Sequence, residues 1–319
     1  MEYIDLHMHS RFSDGTDTPE EIVVKAKEAG LKMIALTDHN TLAGIDEFRA
    51  ARDKYCGGEN DMICIDGIEL STVWHDPDNL DEEPPEIHVL GWFPPDSDFN
   101  SPDFELLRKV IDDYRTSKIR ANEAMVSKMQ EASIGNGRLS VEGFNSFVQR
   151  FSGSGNYNRV HIAHYLIALG VVGSIDEAMD IYIGKKCPYY VRRQALTVRD
   201  AIEAIHAVNN KESTGIKDKG SADDKKKGGI AVIAHPGEYK LGEARLQAFF
   251  AYCMEHNVDG FELLHPHNTP AVAGQILSLA DRVRREEGRV LLLTAGSDYH
   301  GRNKKNEPGF PWKPPYAWE

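Results

Sequence analysis

Two pairs of residues stand two apart at the ends of apolar runs. His7 and His9 close the run Tyr3-Ile4-Asp5-Leu6-His7-Met8-His9, and Asp298 and His300 follow the run Val290 to Thr294. On a β-strand, residues i and i+2 point to the same side, so each pair can grip one cation. Other groups of the same chemistry sit in comparable places. His39 follows Asp38 after Met33 to Thr37, Glu69 follows the strand opened by Met62 to Ile65, and His235 follows Gly229 to Ala234. His88 lies inside the run Glu86 to Gly91. Imidazoles and carboxylates without thiolate suit Mn, Zn or Fe. The eight groups His7, His9, His39, Glu69, His88, His235, Asp298 and His300 are too many for one ion. At three or four protein ligands each they would hold two or three divalent metal ions, and neighbouring ions can clamp the oxygens of a phosphate in displacement. Any one of these residues alone could be a packing residue, and lone histidines such as His206 and His256 are read that way. His75, within the polar run HDPDNLDEEPP, is read as loop.

The elements that must position these groups alternate. A helix is expected from about Thr18, which can cap it. Pro19 suits its first turn, Glu21 completes a capping box and Gly30 stops it. A second helix is expected from near Thr41 to near Tyr55. Residues from about 102 to 185 read as helices: Phe104 to Met129, Val141 to Phe151 and His161 to Gly170. Alternation resumes with a strand at Tyr189-Tyr190-Val191, a helix from Val198 to Val208, and strands at 229–234, 260–264 and 290–294. The pattern predicts an α/β fold with a mainly parallel sheet or a barrel. All the candidate ligands but His88 fall at C-terminal strand ends, where α/β barrels place active sites. The expected organisation is a barrel formed by residues 1–100 and 189–319, interrupted by a helical insertion at 101–188. The polar stretch 209–229 reads as a solvated loop, with a phosphate-reaching role for its lysines as the alternative. The tail PGFPWKPPYAWE is expected to pack along the barrel as irregular chain.

Composition narrows the function. The chain has 319 residues, 41% hydrophobic and 27% charged, the balance of a soluble globular protein. No apolar run reaches the roughly 18 residues of a membrane span. The N-terminal sequence lacks the layout of a signal peptide, so a cytoplasmic location is expected. The formal net charge of −13 argues against binding long nucleic acids. It does not oppose a small phosphorylated substrate, because metals and arginines can reverse the sign locally. The four cysteines are scattered without a CxxC pair, so no disulfide framework is expected.

The motifs HxHSxxSDG at 7–15, LTDHN at 36–40, GIE at 67–69, HVLG at 88–91, AHPG at 234–237 and GSDYHG at 296–301 resemble those of the PHP (polymerase and histidinol phosphatase) family. The stand-alone bacterial phosphoesterases of that family resemble the chain along nearly its whole length. The resemblance implies a distorted seven-stranded (β/α) barrel with a trinuclear metal centre. It assigns His7, His9, Glu69 and Asp298 to a first metal, and makes Glu69 a bridge to a second metal held also by His88 and His235. It assigns Asp14, His39 and His300 to a third. Asp14 would otherwise be an ordinary turn residue. The implied reaction is hydrolysis of a phosphate ester by a metal-bridging hydroxide. Arg159 and His161, in NYNRVHIAHYL, match a segment that faces the site in relatives. Arg159 would bind a phosphate bidentately, or else is a helix-surface arginine. Arg193 resembles the arginine of a YVPR motif, with Arg192 in place of the proline, so either arginine could be the one that points inward. His161 or His265 would protonate the leaving oxygen or orient the phosphate. Implied substrates are small nucleotides or sugar phosphates, such as nucleoside 3′,5′-bisphosphates or cyclic phosphates. A 5′-end RNA exonuclease is the alternative, which the acidic charge weakens. A non-catalytic, metal-stabilised module is the reading from another class; its mark would be lost ligands, and every ligand position is filled. An amidohydrolase would use similar metals, but the arginines favour phosphate.

Overall fold

The computed structural model describes residues 2–58, 61–80, 83–152, 158–208 and 228–312. The chain forms two compact units, one of residues 1–110 and 196–319, the other of residues 111–195. The stretch 209–227 and the tail beyond residue 312 lie outside the described residues.

The first unit is a mixed α/β fold around a nearly closed, barrel-shaped sheet. Its strands are β1 (Glu2–Met8), β2 (Met33–Leu36), β3 (Ile63–Val73), β4 (Glu86–Trp92), β5 (Leu196–Thr197), β6 (Ile230–Ile233), β7 (Gly260–Leu264), β8 (Leu292–Ala295) and β9 (Phe310–Trp312). The path runs β8-β7-β6-β4-β3-β2-β1-β9, and β5 pairs with β3 beside it. That path holds eight strands rather than seven, because β9 adds antiparallel to β1. The sheet approaches closure between β1 and the chain following β8, through a parallel bridge between Met8 and Tyr299 and a hydrogen bond from the His9 amide to the Tyr299 carbonyl at 2.8 Å.

One strand departs from the parallel pattern in a way that matters for the site. β4 runs antiparallel to both β3 and β6. Its N-terminal end therefore lies beside the C-terminal ends of its neighbours, and His88 pairs with Ser71 near the end of β3. β3 also continues past Glu69 to Val73, so Glu69 sits inside the strand.

The helices α1 (Pro19–Glu28) and α2 (Ile45–Tyr55) cover one face. α1 begins as its sequence predicts, with the Thr18–Glu21 capping box formed. α2 starts at Ile45, not at Thr41. The Thr41 hydroxyl accepts the Ala43 amide at 3.2 Å, which closes a turn ahead of the helix. Ile22, Val23 and Ala26 of α1 and Phe48 and Ala51 of α2 pack with Met8, Ile34 and Leu36. Burying a side chain of the larger kinds is worth roughly 1.5–3 kcal/mol, so this layer anchors β1 and β2 beneath their ligand-bearing ends.

The helix α3 (Glu105–Glu131) enters the second unit, which continues with α4 (Val141–Ser152), α5 (Arg159–Ala168) and α6 (Ile175–Ala178). Its core holds Met125, Met129, Phe144, Val148, Ile162 and Leu166. Tyr189, Tyr190 and Val191 form no strand. Their side chains pack on this helical core, which outweighs the β-propensity of an aromatic and β-branched run. The two-residue β5 follows at Leu196, and α7 (Val198–His206), α8 (Glu243–Glu255) and α9 (Pro270–Glu287) complete the first unit. Among the described residues no helix is long and apolar enough to cross a membrane.

Candidate metal centre

The strand ends deliver their ligands through tight turns. Asn40, His235 and Asp298 all have positive φ, at 52°, 28° and 55°. Such backbone is costly for residues with a Cβ and concentrates where a side chain must be re-aimed. Gly15 and Gly296 remove crowding at the same rim. A Cβ on Gly15 would overlap the His9 carbonyl, and one on Gly296 would overlap the His7 side chain and the Glu262 carboxylate.

Glu69 is the hub, fully buried. Its Oε2 lies 3.2 Å from His7 Nε2, 3.1 Å from His9 Nε2 and 2.9 Å from His39 Nδ1. Its Oε1 lies 2.9 Å from His88 Nδ1 and 3.1 Å from His235 Nε2. Asp298 Oδ1 lies 3.2 Å from His9 Nε2 and 3.6 Å from His7 Nε2. Asp14 lies 3.1 Å from His300 Nε2, 3.7 Å from His39 Nε2 and 3.9 Å from His9 Nδ1. Three overlapping groups emerge: His7-His9-Glu69-Asp298, His9-Asp14-His39-His300, and His39-Glu69-His88. All nine residues expected as ligands meet in the first unit.

The donor set fits divalent cations on one observation. His7 Nε2, both ring nitrogens of His9, His39 Nδ1, His300 Nε2 and Glu69 Oε2 are buried without a hydrogen-bond partner, although several lie about 3 Å from one another. Each such atom costs roughly 1–3 kcal/mol when left unsatisfied. Lone pairs converging without hydrogen-bond geometry are what a cation satisfies. His300 is set for this, because its Nδ1 donates to the Asp298 carbonyl at 2.7 Å, so that in the neutral ring the lone pair is on Nε2.

Electrostatics bind the cluster together. Burial raises and the surrounding imidazoles lower the Glu69 carboxyl, with a net fall well below its ordinary range. Asp298 and Asp14 are also lowered, by His9 and His300 respectively, against burial. Burial depresses His9 and His88, but Asp298 and Glu69 push His9 up to about 9, and Glu69 and Glu86 push His88 up to about 10. His39 is lowered, chiefly by burial.

The Asp14 loop is held by Asp38, which accepts the Ser10 amide and hydroxyl, both at 2.7 Å, and the Ser13 hydroxyl at 2.6 Å. Asn303 donates to the Asp14 carbonyl at 2.7 Å. Lys304 pairs with Asp298 Oδ2, leaving Oδ1 toward the histidines. Asp5 accepts the Ser297 amide at 2.9 Å and hydroxyl at 2.6 Å, and burial pushes its carboxyl up to about 6. Sequence reasoning missed these supports and Glu262. The readable signal was a carboxylate inside an apolar strand, as in YIDLH and GFELL.

His265 stands beside the centre, its ring centroid 5.2 Å from that of His235. Its Nδ1 accepts the His267 amide at 3.1 Å, and its buried Nε2 has no hydrogen-bond partner. Burial lowers it to about 4. In the second unit, Arg159 lies over the Tyr190 ring at 5.5 Å, and Arg193 lies over Tyr114 at 4.7 Å with a hydrogen bond to its hydroxyl at 2.7 Å. His161 Nδ1 accepts the Asn158 amide at 3.1 Å in a capping box at the start of α5.

A profile of the PHP domain matches residues 5–90. Over 93% of this chain, it is 31% identical to a 5′-3′ exoribonuclease of Haemophilus influenzae and 28% identical to the 5′-3′ exoribonuclease Rnm of Escherichia coli, covering 89% and 84% of those proteins. It is 24% identical over 94% of its length to a 3′,5′-nucleoside bisphosphate phosphatase of Chromobacterium violaceum, 88% of which is covered. A candidate metal-dependent phosphoesterase from Bifidobacterium adolescentis superposes with a TM-score of 0.61 at 26% identity, over 96% of this chain and 90% of that one. The fold and site define a metal-dependent phosphoesterase. The chain belongs to the PHP family.

Proposed function

We propose that this protein hydrolyses a phosphate ester of a nucleotide at the His7-His9-Glu69-Asp298 cluster. The observation that carries the reading is the convergence of buried, partnerless nitrogens of His7, His9 and His39 on Glu69 Oε2. His7, His9, Glu69 and Asp298 would hold one ion, Glu69 with His88 and His235 a second, and Asp14, His39 and His300 a third. Bound there, divalent ions supply Lewis acidity toward the phosphoryl oxygens and an activated water.

The protein's own groups do the rest. Glu69 and Asp298 stay ionised across the physiological range, since both carboxyls are lowered. Lys304 offsets the charge on Asp298 Oδ2. His265 is neutral near pH 7 and, with Nδ1 accepting the His267 amide, carries its proton on Nε2. That supports its orienting a phosphoryl oxygen as a hydrogen-bond donor rather than protonating the leaving group. His161 likewise offers Nε2–H in its neutral form. Arg159 and Arg193 are the guanidiniums proposed to anchor a second phosphate.

Two substrate classes follow. Nucleoside 3′,5′-bisphosphates or cyclic phosphates suit a second anchored phosphate and the net charge of −13. The 5′ end of RNA is favoured by the two exoribonuclease relatives, which are more similar than the phosphatase. Phosphate release from bisphosphates and cyclic nucleotides, measured beside mononucleotide release from 5′-phosphorylated RNA, separates them. Metal-loaded protein inactive on all of these contradicts the reading.

A further inference from the structure

We infer that Glu262 is a positioning residue that sets two proposed ligands at once, the ring of His7 and the backbone of His235. The inference rests on the metal-centre reading above. Glu262 is fully buried in the middle of β7, and nothing in the ligand set itself calls for it. Its Oε1 lies 3.2 Å from His7 Nδ1, and its Oε2 accepts the His235 amide at 2.6 Å.

The two contacts have different consequences. Donation from Nδ1–H to a carboxylate places the single proton of the neutral His7 ring on Nδ1 and turns the Nε2 lone pair toward Glu69 and Asp298. The second contact stabilises His235 at φ 28°, a conformation a histidine rarely adopts. It is this turn that turns the chain after β6 so that His235 Nε2 meets Glu69 Oε1. Gly296 supports the arrangement, since a Cβ there would overlap both the Glu262 carboxylate and the His7 side chain. One carboxylate thus couples the ligand on the Oε2 side of Glu69 to a ligand on its Oε1 side.

A glutamine at this position keeps the volume and removes the symmetry. The His235 amide can only donate, so the carbonyl oxygen of Gln must face it. The amide nitrogen of Gln then faces His7 Nδ1 as a donor, and the His7 proton moves to Nε2, the atom needed for the metal.

The test is zinc binding by wild-type protein and E262Q in competition with a chromophoric chelator, with ¹⁵N spectra of the zinc-loaded histidines. Wild type is expected to carry a proton on His7 Nδ1. E262Q is expected to bind zinc about 10–100-fold more weakly, the usual scale for such outer partners, with the melting temperature of the metal-free protein near that of wild type. E262Q with wild-type zinc affinity and an unchanged His7 Nδ1 proton would overturn the inference. If E262Q does not fold, the wild-type spectrum decides, because a His7 ring with its proton on Nε2 overturns the inference and one with its proton on Nδ1 sustains it. Wild-type protein that takes up no zinc would overturn the metal-centre reading itself, and this inference with it.

Discussion

The two oxygens of Glu69 face unlike surroundings. On the Oε1 side, His88 Nδ1 and His235 Nε2 make ordinary hydrogen bonds to the carboxylate at 2.9 and 3.1 Å. On the Oε2 side, His7, His9 and His39 come as close without hydrogen-bond geometry, and their facing atoms are left without partners. A carboxylate and two imidazoles can satisfy one another through shared protons. Three imidazoles facing one oxygen, two of them also facing Asp298, lack such hydrogen bonds, and a cation would relieve them together. The comparison teaches that the proposed ion has its strongest call on the Oε2 side, whereas the Oε1 side is already satisfied by hydrogen bonds.

The largest expected effect comes from removing the hub. Glu69→Gln strips charge from both sides and should lower phosphoesterase activity by at least about 10³-fold, the upper scale of losing one electrostatic stabiliser. Metal content measured by elemental analysis should fall with it. Next, Asp298→Ala and His9→Ala on the Oε2 side should each cost about 10²–10³-fold in kcat and empty the tightest metal position. His88→Ala on the Oε1 side should cost less in metal affinity than either. Equal losses of metal on the two sides would break the comparison.

A smaller effect, shared by both sides, is a pH dependence that metal removes. His9 and His88 are raised above the ordinary histidine value, to about 9 and about 10. The stability they contribute to the metal-free protein is present below pH about 6.5 and is lost as pH rises through about 9 to 10. Melting temperatures in chelator should therefore fall between about pH 7 and 10. Metal-loaded protein, whose imidazoles bind without those protons, should show no such fall, and its apparent metal affinity should rise with pH over the same range. The smallest effect lies in the second unit. Arg159→Ala should raise KM by about 10–100-fold, the range of a lost charge-assisted contact, with kcat little changed if the guanidinium binds a non-reacting phosphate.

The legible part of the site was the part encoded locally. His7 and His9 follow strand geometry, and the Thr18–Glu21 box announces α1, whereas Asp298 and His300 lie beyond β8 and are brought together by a turn with Asp298 at φ 55°. What was not legible depends on pairing far along the chain. His88 looked misplaced because nothing in HVLG tells that β4 is reversed, which brings the start of that strand to the functional end. Asp14 sits on a turn fixed by Asp38, 24 positions away in sequence but within hydrogen-bond reach of Ser10 and Ser13. Tyr189 to Val191 has strand composition, yet its rings find a helical core first. Glu262 was visible as a charge inside an apolar strand, but its two partners, His7 and His235, are defined only once β1, β6 and β7 are assembled.

The central claim, a cation-dependent phosphoesterase centred on Glu69, is met most directly by one assay. Chelator-stripped protein is reloaded with manganese, zinc or iron and offered nucleoside 3′,5′-bisphosphates, cyclic phosphates and 5′-phosphorylated RNA. The account predicts turnover of at least one substrate with metal, none after chelation, and none by Glu69→Gln reloaded in the same way. Full activity in chelator, or in Glu69→Gln, would contradict it.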